Sequence, residues 1–158
     1  MRKNNSSRQI ENLSSYKNYS KQQILKEIYD HTINQKKQDG ILSTIQLKQI
    51  LHVLNRDDIL VIDEIDYWKK AINNKEPKEA IIFHHNKNTS IGHWVCAYTD
   101  KNNVIHYDNS FGTIPPIDIS HRTILYDKSQ EQSADSTSCG WYSLLSILNH
   151  GKIKSKPF

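Results

Sequence analysis

Residues 92–112, GHWVCAYTDKNNVIHYDNSFG, carry the strongest structural signal in the chain. Apolar and polar side chains alternate on both sides of the polar turn at residues 100–103, which is the pattern of a β-hairpin. The preceding residues 79–85, EAIIFHH, form the short apolar run of a buried strand, and residues 121–127, HRTILYD, favour a further strand. The sequence therefore predicts a central mixed or antiparallel sheet.

Helical patterns precede this sheet along the chain. Ser20 is a good N-cap for a helix over residues 20–37, and Ser43 or Thr44 can open a second helix. Residues 59–72 fit a short strand or a helix equally well. Together with a helix near the C-terminus, these elements predict an α+β fold in which helices flank the sheet.

The C-terminal helix begins at Cys139. Ser138 is a good N-cap, and apolar residues then recur at the spacing of one helix face as far as the stop at Gly151. The Cys139 sulfur would lie at the positive end of the helix dipole, which lowers the pKa of a thiol. We expect Cys139 to be the reactive cysteine, although a buried packing role explains a single cysteine equally well. Cys96 fits a core position in its strand.

Composition places the chain among folded globular proteins. Its 158 residues, 36% hydrophobic and 24% charged, are enough for one domain with a real core. The sequence lacks an apolar run of the ~18 residues that a membrane span needs, and its first residues do not resemble a secretory signal. We therefore expect no membrane association and a location inside a cell or a virus particle. Two cysteines are too few for a disulfide scaffold.

The positive charge is confined to the first part of the chain. Residues 1–40 contain eight Lys and Arg against four Asp and Glu, whereas the remaining residues contain 13 of each sign. We therefore divide the chain into a basic N-terminal arm at 1–40, with its helix at 20–37, a domain at 41–151 and a short basic tail at 152–158. Any attraction to nucleic acid would come from the arm, and the domain is expected to fold without it.

A cysteine nucleophile needs a base, and His93 stands in the most informative setting, between a glycine and Trp94 at the start of a predicted strand. The other histidines fit ordinary strand or surface positions. A zinc site from His84, His85, His93 and Cys96 is unfavourable, because residues three apart on a strand point to opposite faces. We expect neither a metal nor an organic cofactor.

Four polar residues are candidates for the remaining roles: Asp108 and Asn109 at the end of the hairpin, and Gln130 and Gln132 in the loop before Cys139. A tight hairpin would place its second end beside His93, where a carboxylate or amide oxygen can accept a hydrogen bond from the imidazole. Residues of these types also commonly begin turns. A loop glutamine can donate its side-chain N–H to an oxyanion.

The order of these motifs resembles the adenovirus protease (adenain) family and its relatives, the Ulp/SENP-type SUMO proteases. Gly-His-Trp at 92–94 is followed by Tyr-Asp and Ser-Phe-Gly within 107–112, and Gln132 stands seven residues before Cys139-Gly140. The likeness extends over roughly residues 42–150. It implies an adenain-like or Ulp-like fold, with the nucleophile at the N-terminus of a C-terminal helix.

The resemblance also implies roles for individual residues. His93 would be the base, Cys139 the nucleophile, Gln132 the oxyanion donor, and Asp108 or Asn109 the residue that orients the imidazole. In the family the acid usually stands directly before the Ser-aromatic-Gly step, a position that Asn109 holds here, whereas Asp108 fits the aromatic-then-acid pattern. We favour Asp108, because a carboxylate stabilises an imidazolium more than an amide does.

By the same resemblance the chain would be a monomeric cysteine endopeptidase of a virus, virophage or polinton element. It would cleave capsid or core precursor proteins at Gly-containing sites, in the virion or the host cell. Gly140 would leave room for the substrate backbone, and Trp94 and Trp141 would form the walls of the cleft. The alternatives are a deubiquitinating or SUMO-removing isopeptidase, an acetyltransferase, which the neutral body of the chain disfavours, and a non-catalytic DNA-binding or virion structural protein.

Overall fold

The computed structural model describes residues 11–37, 40–72, 78–85, 92–108, 124–126 and 137–149. These residues contain four α-helices and five β-strands. In chain order they are α1 (Lys21–His31), α2 (Thr44–Val53), β1 (Leu60–Asp63), α3 (Glu64–Ile72), β2 (Glu79–His85), β3 (Gly92–Thr99), β4 (Ile105–Asp108), β5 (Ile124–Tyr126) and α4 (Cys139–Asn149). None of the described helices is long and apolar enough to cross a membrane.

The five strands form one mixed sheet in the order β1-β2-β3-β4-β5. β1 runs parallel to β2 and β5 runs parallel to β4, whereas β3 is antiparallel to both of its neighbours. The N–H of Asp100 bonds to the carbonyl of Val104 at 3.0 Å, and Thr99 pairs with Ile105, so the predicted hairpin is confirmed. The predicted α+β class, a mixed sheet with flanking helices, is also confirmed.

Two segments differ in detail from the prediction. Residues 59–72, which fitted a strand or a helix, contain both, because the chain turns from β1 directly into α3 at Glu64. The helix predicted over 20–37 ends at His31, because the carbonyl of Asp30 accepts the N–H groups of two loop residues, Lys36 and Lys37. Its start is as predicted, since Ser20 and Gln23 form a capping box.

The side chains of β3 alternate between two apolar clusters. Trp94 and Cys96 belong to a cluster that includes residues of α1, α2 and α4. Val95 and Ala97 pack instead with Tyr67 and other residues near α3. Because successive strand residues point to opposite sides, these clusters lie on the two faces of the sheet. We call them the α4 face and the α3 face.

The residues that precede α2 contribute to the core on the α4 face. Tyr16, Ile24 and Ile28 are no more than 1% exposed. The ring of Tyr16 packs edge-on against Trp141 of α4, with centroids 5.6 Å apart. This packing joins the segment before α1 to α4. Because Tyr16, Ile24 and Ile28 share one core with α2 and α4, we no longer expect the domain at 41–151 to fold without them. Residues 1–10 and 152–158 lie outside the described residues.

Candidate active site

Cys139 is the first residue of α4, and its sulfur meets β3. The backbone N–H of Trp94 donates a hydrogen bond to Cys139 Sγ, with an N···S distance of 3.3 Å. In the described register β4 pairs with β3 from Cys96 to Thr99, so Trp94 lies beyond the end of that ladder. There the sulfur can take the place of a strand acceptor. The contact brings the predicted nucleophile against the peptide bond that joins His93 to Trp94.

The Cys139 thiol is buried and protonated at neutral pH. The residue is 2% exposed, and burial raises the pKa of the thiol from 9.0 to about 11, because the thiolate would lose its hydration. The backbone N–H groups of Trp94, Gly140 and Cys139 itself lower the pKa, but by less than burial raises it. The expectation of a lowered thiol pKa is therefore wrong, because desolvation outweighs the N–H groups at the helix end.

His93 lies in β3 directly across from His84 of β2. The two ring centroids are 5.0 Å apart, and the ring planes are 75° to one another, an edge-to-face contact. Ile82, two residues before His84, belongs to the cluster on the α3 face. The imidazole of His93 therefore extends toward the α3 face, while its backbone borders the thiol. Its role as a base stays a prediction.

Asp108 is the last residue of β4 and pairs with Cys96. Its side chain lies on the α4 face, where Oδ2 accepts a hydrogen bond from the Ser146 hydroxyl. The hairpin prediction places the end of β4 beside His93. The turn instead sets a register in which Asp108 pairs with Cys96, which is further along β3. Asn109 lies outside the described residues. In this register the Asp108 side chain and the His93 imidazole lie on opposite faces of the sheet. Which of Asp108 and Asn109 orients the imidazole stays a prediction.

The three residues expected to contact the substrate are buried or packed against core residues. The indole N–H of Trp94 donates to the carbonyl of Leu42 at 2.8 Å. Trp141 is 0% exposed and stacks on His31 with a centroid distance of 4.3 Å. A Cβ added to Gly140 would lie 3.0 Å from Leu42 Cδ1. Each residue thus has a packing contact that accounts for its position, and its contact with a substrate stays a prediction.

The predicted oxyanion donor Gln132 and its alternative Gln130 lie outside the described residues. Within the described ranges, no group of three or more His, Cys, Asp or Glu residues is arranged to hold a metal ion. The side chain of His85, one of the residues weighed for zinc, is not among those described.

Sequence reasoning missed three residues that contact the candidate site: Leu42, Glu64 and Ser146. For Ser146 a signal was available, because it stands seven residues after Cys139, and two helical turns place such residues on one face. The other two contacts depend on long-range packing. Leu42 meets α4 from the segment before α2, and Glu64 reaches β2 from the start of α3.

Comparison with known proteins gives no match to a protein-family model, to a curated protein or to a solved structure.

Proposed function

We propose that this chain is a cysteine endopeptidase of the adenain and Ulp/SENP type, with Cys139 as nucleophile and His93 as base. The observation that carries the proposal is the hydrogen bond from Trp94 N–H to Cys139 Sγ. It joins the two parts of the motif pattern that lie far apart in the chain, the Gly-His-Trp strand and the Cys-Gly helix start. A catalytic cysteine and its base commonly meet in this way only through the fold.

The mechanism begins from a protonated thiol, because burial holds the Cys139 pKa at about 11. His93 would take the Sγ proton as the sulfur attacks the scissile carbonyl, and would then give it to the leaving amine. The N–H of Trp94 would stabilise charge on the sulfur before attack and on thiolate release. Water then attacks the thioester with His93 as base, which frees the acyl product and restores the thiol.

Two further groups would complete the site. Gln132 and the backbone N–H of Cys139 would donate to the oxyanion. Asp108 or Asn109 would hold the imidazole of His93 and stabilise the imidazolium that forms. The substrates would be viral capsid or core precursors with glycine next to the scissile bond. Cleavage would therefore take place in the virion or in the host cell. No cofactor takes part in these steps.

One observation favours a second candidate, a non-catalytic virion or nucleic-acid-binding protein. Cys139 is 2% exposed and has a raised pKa, which is typical of a packing cysteine rather than of a resting thiolate. The two candidates differ in whether an electrophile that binds as a substrate can reach the sulfur.

A glycine-ended peptide vinyl sulfone is a suitable probe for this difference. The proposal predicts one covalent adduct on Cys139, located by mass mapping, and a rate that falls by roughly tenfold or more in His93→Ala. The matched control is His106→Ala, because His106 is a histidine of the neighbouring strand β4. This variant should form the adduct at a rate within about twofold of wild type. Adducts on Cys96 and Cys139 at equal rates, or a rate unaffected by His93→Ala, would support the non-catalytic candidate.

A further inference from the structure

His93 has a defined neighbour on the α3 face. His84 pairs with it across the β2–β3 ladder, and the edge of one ring meets the face of the other at 5.0 Å and 75°. An edge-to-face contact restricts the rotation of both rings about their side-chain torsions. The orientation of the proposed base therefore depends on how firmly His84 is held.

Glu64 holds the ring of His84. The distance from His84 Nδ1 to Glu64 Oε2 is 2.8 Å, and the two side chains are 15% and 13% exposed. Glu64 is the first residue of α3, and its position is fixed by the adjoining chain, since Asp63 Oδ1 accepts the N–H of Ile65. A carboxylate can only accept at this contact, so the bond keeps the proton of His84 on Nδ1 and fixes the plane of the ring.

We propose that Glu64 and His84 are positioning residues for His93, an inference that rests on the proposed function. Glu64 fixes the His84 ring, and the His84 ring in turn limits the orientations open to the imidazole of His93, whose backbone borders Cys139 Sγ. A catalytic base that is misplaced by about 1 Å lowers the rate roughly a hundredfold, so contacts that fix the His93 ring would raise the rate of cleavage. The contact involves no bond to the reacting atoms.

The test uses the full-length chain and two measurements. The first is steady-state cleavage of a peptide substrate by wild type, Glu64→Ala, Glu64→Gln and His84→Ala. We expect Glu64→Ala and His84→Ala to lower kcat by roughly tenfold to a hundredfold with KM within about twofold, because only the base is disturbed. Glu64→Gln should keep most of kcat, since its amide oxygen still accepts the Nδ1 proton.

The second measurement does not need activity. Long-range proton–nitrogen NMR spectra and ring-to-ring NOEs report the tautomer and orientation of the imidazole of His93. They should change in Glu64→Ala and stay close to wild type in Glu64→Gln. Since Glu64 is the first residue of α3 and lies outside the β2–β3 ladder, its variants give a result even if His84→Ala fails to fold.

His106→Ala is the matched control. His106 is also a histidine of this sheet with a carboxylate partner, Asp100, at 2.9 Å, and it also stacks on an aromatic ring. It should leave kcat and the His93 signals unchanged. Unchanged kcat and His93 signals in Glu64→Ala would overturn the positioning role. Altered His93 signals in a protein whose wild type cleaves no peptide would instead overturn the proposed function, and with it the catalytic meaning of the pair.

Discussion

The reactivity of Cys139 toward iodoacetamide should report its burial directly. Burial raises the pKa of the thiol from 9.0 to about 11. At about pH 7.5 such a change lowers the thiolate fraction from about 3% to about 0.03%, and the thiolate is the reacting species. The folded protein should therefore label at Cys139 roughly a hundredfold more slowly than the unfolded chain, and restricted access should slow it further.

The assay is brief alkylation over a pH series, followed by mass mapping of the peptides that contain Cys139 and Cys96. In folded protein we expect the Cys139 rate to rise about tenfold per pH unit from about pH 7 to about pH 10, without a plateau. The same peptides labelled in concentrated denaturant give the reference for an ordinary thiol. A Cys139 rate that is flat between about pH 6 and pH 8 and exceeds the denatured rate would exclude a raised pKa, because it would show a thiolate in the resting protein.

The same pKa shift predicts a loss of stability at high pH. The folded thiol holds its proton more tightly than the unfolded thiol, so stabilisation is full below about pH 9 and is lost as the pH rises toward about 11. Two pKa units correspond to about 3 kcal/mol. The difference in unfolding free energy between wild type and Cys139→Ala should therefore shift by about that amount against wild type over this range, and a constant difference would contradict the shift.

Three further predictions concern the surroundings of the site. Deletion of residues 1–40 should prevent folding, because it removes the buried side chains of Tyr16, Ile24 and Ile28. Each contributes roughly 2–5 kcal/mol to a free energy of unfolding of about 5–15 kcal/mol. A soluble 41–158 fragment with a cooperative thermal transition would show that residues 1–40 are a separate arm, and deletion of residues 1–10 is the control. Gly140→Ala should lower Tm, since the new Cβ would lie 3.0 Å from Leu42 Cδ1 and overpacking costs about 1–3 kcal/mol. The decrease in Tm should be smaller in a Leu42→Ala background. Equal decreases would show that Leu42 does not cause the overpacking. Ser146→Ala should destabilise the fold by about 1–3 kcal/mol, because it removes a hydrogen-bond donor from the buried Asp108 carboxylate. If Asp108 also orients His93, Asp108→Ala should lower the cleavage rate far more than Asn109→Ala does. The reverse order would make Asn109 the orienting residue.

The sequence is most informative where local chemistry decides the structure. The alternation in β3 and β4, the turn between them and the capping box at Ser20 all act within a few residues, and each appears in the structure. The start of α4 at Cys139 follows from the same kind of local signal. These features are enough to predict the α+β class and to place Cys139 at a helix N-terminus.

The surroundings of Cys139 depend instead on residues that are distant in the chain. The polar composition of the first 20 residues predicts a flexible lead, but within the described part of that segment Tyr16 is buried and its hydroxyl accepts a hydrogen bond from Asn12 at 2.7 Å. The burial that raises the Cys139 pKa comes from packing between α4, β3 and the segment before α2. Helix-end reasoning considers the dipole alone and cannot include this desolvation.

The register of β4 against β3 could not be predicted from the sequence. A hairpin can be recognised from alternation and a polar turn, but its exact pairing depends on the hydrogen bonds that close the turn. Here the turn from Asp100 to Val104 places Asp108 opposite Cys96, with Ser146 as its partner. A shift of one residue would exchange the faces of Asp108 and its neighbour.

The most direct test of the proposed peptidase is digestion of a diverse peptide library by the full-length chain, with all new termini mapped by mass spectrometry. We expect new termini with wild type, a shared glycine next to the cleaved bond, and a loss of cleavage rate of roughly 10⁴-fold or more in Cys139→Ala. The circular dichroism spectrum of Cys139→Ala should match that of wild type, and a cooperative thermal transition should show that the variant folds. Equal cleavage by Cys139→Ala would exclude Cys139 as the nucleophile, and no cleavage of any peptide by correctly folded wild type would exclude the proposed peptidase activity.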